Sequence, residues 1–257
     1  MKVITVPCLH DNYAYIIRNS KSAEAAVVDP SEAWPVMREL DKHGLRLTTV
    51  FCTHHHSDHI GGIDDLLDVY DNLRIIGFGK DQQRIPHINS PLEDGGAFSL
   101  WDKNGRMYHT PGHTTNSVVY HLNDCLFTGD TMFGAGCGRL FEGTPKQMVA
   151  SLQRISSCSP QTHLYFGHEY TALNLRFAAL LEPGNQAIQA RQRKTEQCRD
   201  SNQPTSPSLL EEELLTNPFL RVTEPELIAY LKEHHALQAD DPESVFTLVR
   251  ELRNTFS

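Results

Sequence analysis

The chain lacks most of what would tie it to a membrane, to nucleic acid or to an oxidising compartment. No apolar run among its 257 residues approaches the roughly 20 that a membrane helix needs. Positive charge is in deficit. Against 32 Asp+Glu stand 23 Lys+Arg, a formal charge of −9 and the wrong sign for a duplex-binding surface. Met1-Lys2-Val3-Ile4 shows no charged segment followed by a long apolar stretch and a cleavage site, so no secretory leader is expected. The six cysteines, at 8, 52, 125, 137, 158 and 198, form no Cys-x-x-Cys pair. A chain this long needs no disulfide staples. Reduced, mostly buried thiols in a cytoplasmic protein are therefore expected. No internal repeat of fixed period is present.

What the chain does have is a core-forming composition, 39% hydrophobic and 21% charged, which excludes global disorder. Histidine is abundant at 14 residues, five of them between His43 and His59. Apolar runs predict strands at Lys2–Val6, Ala14–Arg18, Ala25–Val28, Thr48–Cys52, Arg74–Phe78, Arg106–His109, Ser117–His121, Cys125–Thr128 and His163–Phe166. Helices are expected at Trp34–His43, ended by Gly44, at Ile63–Tyr70, and at Pro145–Ser156 behind Thr144 as N-cap. Beyond Tyr170 the pattern turns helical: Ala172–Leu181, Gln186–Asp200, Pro225–His234 and Pro242–Asn254. Ser201–Asn217 reads as a surface loop leading into a solvated acidic turn at Glu211-Glu212-Glu213. An α/β body over residues 1–170 with a helical layer over 171–257 follows.

The chemistry-bearing segment is Thr53-His54-His55-His56-Ser57-Asp58-His59, between the strand ending at Cys52 and Gly61-Gly62. Imidazole and carboxylate are ligands for borderline divalent ions. His54 and His56 are two apart, so an extended backbone aims both one way and His55 the other. A helix starting after the glycine pair would swing Asp58 and His59 to a neighbouring point. Three further strands each end in a glycine turn and a potential ligand: His113 in Thr110-Pro111-Gly112-His113, Asp130 in Thr128-Gly129-Asp130, and His168 in Phe166-Gly167-His168. Strand carboxyl ends are where α/β sheets gather ligands. Seven ligands exceed one tetrahedral ion and suit two. His54, His56 and His113 would take one, Asp58, His59 and His168 the other, and Asp130 would bridge. Two ions about 3.5–4 Å apart can hold a hydroxide between them and lower the pKa of water towards roughly 7.

Thr-His-x-His-x-Asp-His with later single His, Asp and His residues resembles the metallo-β-lactamase superfamily. The similarity is closer to glyoxalase II, the hydroxyacylglutathione hydrolases. It is carried by Asp11-Asn12-Tyr13, Thr110-Pro111-Gly112-His113-Thr114, Gly129-Asp130-Thr131-Met132-Phe133, Gly136-Cys137-Gly138-Arg139-Leu140-Phe141-Glu142-Gly143-Thr144, Gly167-His168-Glu169-Tyr170-Thr171 and Asn217-Pro218-Phe219-Leu220-Arg221. The resemblance implies a four-layer αβ/βα sandwich with a dinuclear site at one edge, and a C-terminal helical domain that helps bind glutathione. It implies hydrolysis of S-D-lactoylglutathione to D-lactate and glutathione, the second step of methylglyoxal detoxification.

The residues suit that reaction. A metal-bridging hydroxide would attack the thioester carbonyl, and the ions would stabilise the oxyanion. A thiolate leaving group, with a parent pKa of roughly 8.5–9, needs no strong general acid. Asp58 would both ligate and orient the hydroxide. Glutathione carries two carboxylates, so an acidic protein must offer it local cations. Arg250 and Arg253, three apart on the last helix, share a face, and the resemblance points to them, Arg139 and Tyr170 as binders. Departures from the family pattern are Ser57 between two ligands, Phe141 in place of a glutathione-binding tyrosine, Arg253 in place of a lysine, and Asn116-Ser117 after the Thr-Pro-Gly-His-Thr segment. His55 is expected to turn away and hydrogen-bond. Zinc is the first expectation for the metals, with iron or manganese also suited to the ligand set. A monomer acting on a small molecule is expected. Competing readings are a lactonase, a β-lactamase or a nuclease on the same scaffold, a mononuclear iron dioxygenase acting on glutathione persulfide, and a non-catalytic metal binder. The complete second set of ligands favours hydrolysis.

Overall fold

A computed structural model describes residues 2–256. The chain divides into two compact units. The first comprises Met1–His109, Asn116–Asp130 and Tyr165–His168; the second comprises Thr110–Thr115, Thr131–Leu164 and Glu169–Ser257.

In the first unit, β1 (Lys2–Cys8), β2 (Asn12–Arg18), β3 (Glu24–Val28), β4 (Arg46–Phe51), β5 (Arg74–Phe78) and β6 (Ser90–Leu92) form one sheet in sequence order. The β1–β2 and β2–β3 pairs are antiparallel, whereas β3 to β6 run parallel. The parallel strands read as unbroken apolar runs because both faces are covered. Ile16, Val27, Val50 and Ile75 pack outward under α1 (Ala33–Lys42) and α3 (Ile63–Val69), against Val36, Leu40, Ile63 and Leu66. Tyr15, Ile17, Val28, Phe51 and Ile76 face the other way. They meet Phe98, Met107, Val118, Tyr120 and Phe127 of a second sheet, formed by β7 (Ala97–Leu100), β8 (Lys103–His109), β9 (Val118–Leu122), β10 (Cys125–Gly129) and β13 (His163–Phe166). Each such aliphatic burial contributes roughly 1.5–3 kcal/mol.

The helix expected after the glycine pair is α3, and a further short helix, α2 (Ser57–Ile60), precedes the pair and carries Asp58 and His59. The glycines serve close packing. A Cβ on Gly61 would lie 2.6 Å from the Ser57 carbonyl oxygen, and one on Gly62 2.6 Å from the Ala33 nitrogen. Strands β6 and β7 and the start of β8 were not expected. Pro91 interrupts the first, and exposed polar residues at one sheet edge mask the others.

The second unit holds the hairpin β11 (Met132–Phe133) and β12 (Gly136–Cys137), α4 (Pro145–Ser156), α5 (Thr171–Leu181), α6 (Gln186–Asp200), β14 (Ser208–Leu209), α7 (Leu210–Thr216), α8 (Pro225–His235) and α9 (Pro242–Thr255). Thr144 caps α4 in a full capping box with Gln147, as its sequence implies. The acidic turn expected at 211–213 is instead α7, and Glu213 is 0% exposed. Its carboxylate pairs with Arg191 and accepts from the Ser208 hydroxyl (2.7 Å), the Ala135 N–H (2.8 Å) and Asn217 Nδ2 (3.2 Å). A buried charge is tolerated when so fully satisfied. Asn174 Nδ2 donates to Gly134 O, Asn217 Nδ2 to Gly136 O and Arg250 to Cys137 O, so side chains from α5, from just beyond α7 and from α9 hold the hairpin. No helix among the described residues is long and apolar enough to cross a membrane.

Candidate active site

Parallel register brings the carboxyl ends of β3, β4 and β5 side by side: Asp29 N–H donates to Phe51 O, and Cys52 N–H to Ile76 O. Just beyond these ends the chain turns polar. His54 and His59 are each 1% exposed and His168 is 5% exposed. Asp58, His59 and His168 offer ligand atoms within 4.8 Å of one another. Asp130 joins them: its Oδ1 lies 3.2 Å from His59 Nε2 and its Oδ2 3.3 Å from His168 Nε2. Asp58 Oδ2 is 3.4 Å from His168 Nε2 and 3.7 Å from His59 Nε2. His54 Nε2 sits 3.1 Å from His56 Nδ1.

A set of outer acceptors fixes the tautomers. Asp29 Oδ1 accepts from the Thr53 N–H (2.8 Å), and Oδ2 accepts from the Thr53 hydroxyl (2.5 Å) and His59 Nδ1 (3.0 Å). The Thr53 hydroxyl, its proton given to Asp29, must accept from His54 Nδ1 at 3.0 Å. Asp11 Oδ1 accepts from His168 Nδ1 at 2.9 Å. In its neutral form each of the three imidazoles would therefore carry its proton on Nδ1 and turn a bare Nε2 to the cluster, the arrangement metal-ligating histidines use. Asn12 Nδ2 donates to both the carbonyl (2.9 Å) and Oδ2 (3.1 Å) of Asp58. Asp29 also lies within 4.8 Å of His54 and His59, but both its oxygens are already committed.

Does the cluster fit a divalent cation? His59 Nε2 is buried and makes no hydrogen bond with any described residue, although carboxylate oxygens surround it. A nitrogen so placed calls for a cation, a proton or a metal ion. The electrostatics agree. Burial would raise the Asp130 carboxyl pKa, but the His59 and His168 charges hold it well below the usual range. Burial would lower the His59 and His168 pKa values, yet Asp130 lifts both. The pocket draws positive charge.

Within the second unit, His113 is 3% exposed, and its Nδ1 lies 2.8 Å from Arg139 O. Its carbonyl accepts from the Phe141 and Glu142 N–H groups. The four expected substrate-binding residues gather in this unit. A cleft of about 380 Å³ is lined by Arg139, Phe141, Thr247, Arg250, Glu251 and Asn254 among others. Arg250 is no solvated helix face. It is 6% exposed, donates to Cys137 O at 2.8 Å and lies over the Phe219 ring. Arg253 donates to Asn174 Oδ1 at 3.0 Å. Burial, then the charges of Arg250 and Arg139, push its pKa down to about 10, while Tyr170 acts in the opposite sense. Arginines crowded to this degree make a ready site for an anion.

Sequence reasoning missed Asp29 and Thr53, and used Asp11 and Asn12 only as marks of resemblance. Asp29 bore a readable sign: it ends an apolar strand, Glu24–Val28, just as Asp130 does.

Residues 9–168 match the family described as the metallo-beta-lactamase superfamily, and residues 169–256 match the one described as the hydroxyacylglutathione hydrolase C-terminus. A solved structure, ETHE1 from Myxococcus xanthus, shares the fold over 100% of both chains with a TM-score of 0.67 and 24% identity. Fold and site thus define a metallo-β-lactamase-type protein with mixed sheets and a C-terminal helical region. The chain is 39% identical over 256 residues to a hydroxyacylglutathione hydrolase of Vibrio cholerae serotype O1, covering 100% of both. It is 42% identical over 260 residues to one of Methylobacillus flagellatus, covering 99% of both. The chain belongs to the hydroxyacylglutathione hydrolase family.

Proposed function

We propose that this chain is a metal-dependent thioesterase that hydrolyses S-D-lactoylglutathione and related S-2-hydroxyacylglutathiones to the 2-hydroxy acid and glutathione. The observation that carries the reading is the joint match of both parts. The part with the histidine motif matches the metallo-beta-lactamase superfamily, the C-terminal helical part matches the hydroxyacylglutathione hydrolase C-terminus, and the relatives of that name are matched over their full length.

Asp58, His59 and His168 would hold one divalent ion, with Asp130 shared. On the sequence pattern, His113 joins His54 and His56 for the other. When bound, such ions polarise a carbonyl and bring the pKa of water towards neutrality. Zinc is the first assignment, and the same donors accept iron or manganese. The protein's own part is to keep each Nε2 unprotonated through Asp29, Thr53 and Asp11, and to hold Asp58 through Asn12. Arg139, Arg250, Arg253 and Tyr170 bind and orient the tripeptide, with the arginines meeting its glycine carboxylate. Phe141 offers that ligand a ring in place of a hydroxyl. Catalysis is assigned to residues 1–170, and residues 171–257 help bind glutathione. Six free cysteines suit the reducing cytoplasm we assign, where the chain acts as a monomer on a small molecule.

The test is steady-state hydrolysis of S-D-lactoylglutathione by protein of measured metal content, with the thiol product trapped as it forms. Fast release abolished by chelator is expected. No release from protein carrying about two metals per chain would refute the substrate and direct the search to lactones and persulfides.

A further inference from the structure

The carboxyl end of β5 runs into a 3₁₀ turn, Gly79–Asp81, beside the histidine segment that follows β4. Asp81 is 1% exposed. Its Oδ1 accepts from Arg84 Nε at 2.6 Å and from Asn116 Nδ2 at 3.0 Å. Its Oδ2 is buried, accepts no hydrogen bond from any described residue and lies 3.8 Å from His55 Nδ1. Arg84 Nη1 is 3.5 Å from the other ring nitrogen of His55. The His55 ring also meets the His56 ring, with centroids 4.9 Å apart at 65°. A half-satisfied buried carboxylate carries a desolvation penalty that an apolar side chain would not. Such an arrangement calls for a purpose in the site it adjoins.

We propose that Asp81 is a positioning residue for the metal-binding segment: with Arg84 and Asn116 it clamps His55 from behind, so that His54 and His56 are presented together to one ion. The backbone at His56 is extended (φ −62°, ψ 140°). The held His55 ring, in contact with the His56 ring, is thus a wall against which that ligand is set. Outer partners of ligands tune metal affinity by about 10–100-fold. The clamp gives a role to His55, which lies between two expected ligands, and to Asn116, a departure from the family pattern.

The inference rests on the metal-dependent reading above, and its test separates the two. Zinc content and zinc dissociation constants are measured by competition with a chromophoric chelator for wild type, Asp81→Asn and His55→Leu. The metal-free melting temperature of each is recorded alongside. Wild type should take up about two zinc ions per chain. Both variants should raise the zinc dissociation constant about tenfold or more. At saturating zinc their KM for the thioester should stay within about twofold of wild type. His55→Leu leaves the Asp81–Arg84–Asn116 contacts intact, so it carries the test even if Asp81→Asn folds poorly. Zinc affinity within about twofold of wild type in His55→Leu would overturn the clamp while leaving the metal reading standing. A wild-type chain that binds no zinc would overturn both.

Discussion

Replacing Asp29 with asparagine tests the outer arrangement of the site with almost no change of shape. The carboxylate accepts three hydrogen bonds, from the Thr53 N–H, the Thr53 hydroxyl and His59 Nδ1. An amide can keep its oxygen on the Thr53 N–H, but its NH₂ then faces the other two groups as a donor. His59 would have to accept at Nδ1 and carry its proton at Nε2. The Thr53 hydroxyl, no longer donating to residue 29, would turn its proton to His54 Nδ1 and displace that tautomer too. If the amide flips, its NH₂ opposes the buried Thr53 N–H, which costs about 1–3 kcal/mol. Either way one substitution works against two imidazoles. A loss of about 10–100-fold in zinc affinity is expected, or about 1.4–2.7 kcal/mol. The assay is a zinc titration against a chromophoric chelator, with the melting temperature of the metal-free protein as control. Zinc binding within twofold of wild type at an unchanged melting temperature would falsify the tautomer argument.

Asp130→Ala should lose bound metal and nearly all turnover; full metal by elemental analysis with near-normal kcat would sink the shared-ligand assignment. Arg253→Gln should raise KM for the thioester about tenfold with little change in kcat, and should leave the melting temperature equal or higher. The sign follows from its pKa, pushed down to about 10 from 12.5. The folded state holds that proton less tightly than the unfolded state, so the charge opposes folding below about pH 10, and a clear drop in melting temperature would contradict this. Burial raises the thiols of Cys8 and Cys137 to about 11 and that of Cys125 to about 12. Their folded pKa values exceed the unfolded value of 9.0, so this stability is fully present below pH 9 and is lost as pH rises through about 11. Denaturant midpoints should fall across that window; a flat profile from pH 8 to 11.5 would count against it. At pH 8 these thiols should react far more slowly with a disulfide reagent than Cys158 and Cys198, which are partly exposed.

Much of the site was legible because its residues obey one local rule: an apolar strand, a turn, then a ligand. That rule picked out Asp130 and His168 from sequence alone, and the structure brings both to His59. It would have reached Asp29 had strand-end acids been read without a neighbouring glycine. Asp81 was out of reach, since Asn116 is 35 positions away and His55 is brought near it by the parallel register of β4 and β5. The central strands were readable because burial on both faces removes polar residues. Ser90–Leu92 and Ala97–Leu100 were not, since a proline and a solvated edge erase the pattern. Glu213 shows the limit from the other side. Three consecutive acids look solvated, and only tertiary contacts with Arg191 and Ala135 reveal that one is interior.

The hairpin at 132–137 bears on the order in which the protein is made. Its backbone acceptors and donors are met by side chains from residues 174, 213, 217 and 250, the last contact spanning 113 positions. A nascent chain therefore cannot complete the contacts that hold this hairpin until translation has passed Arg250. A product released before Pro242 would lack Arg250 and Arg253 together with the anchor for Cys137. Incomplete chains would thus be loosened at the segment leading to Arg139, leaving a mark that cellular proteolysis can read.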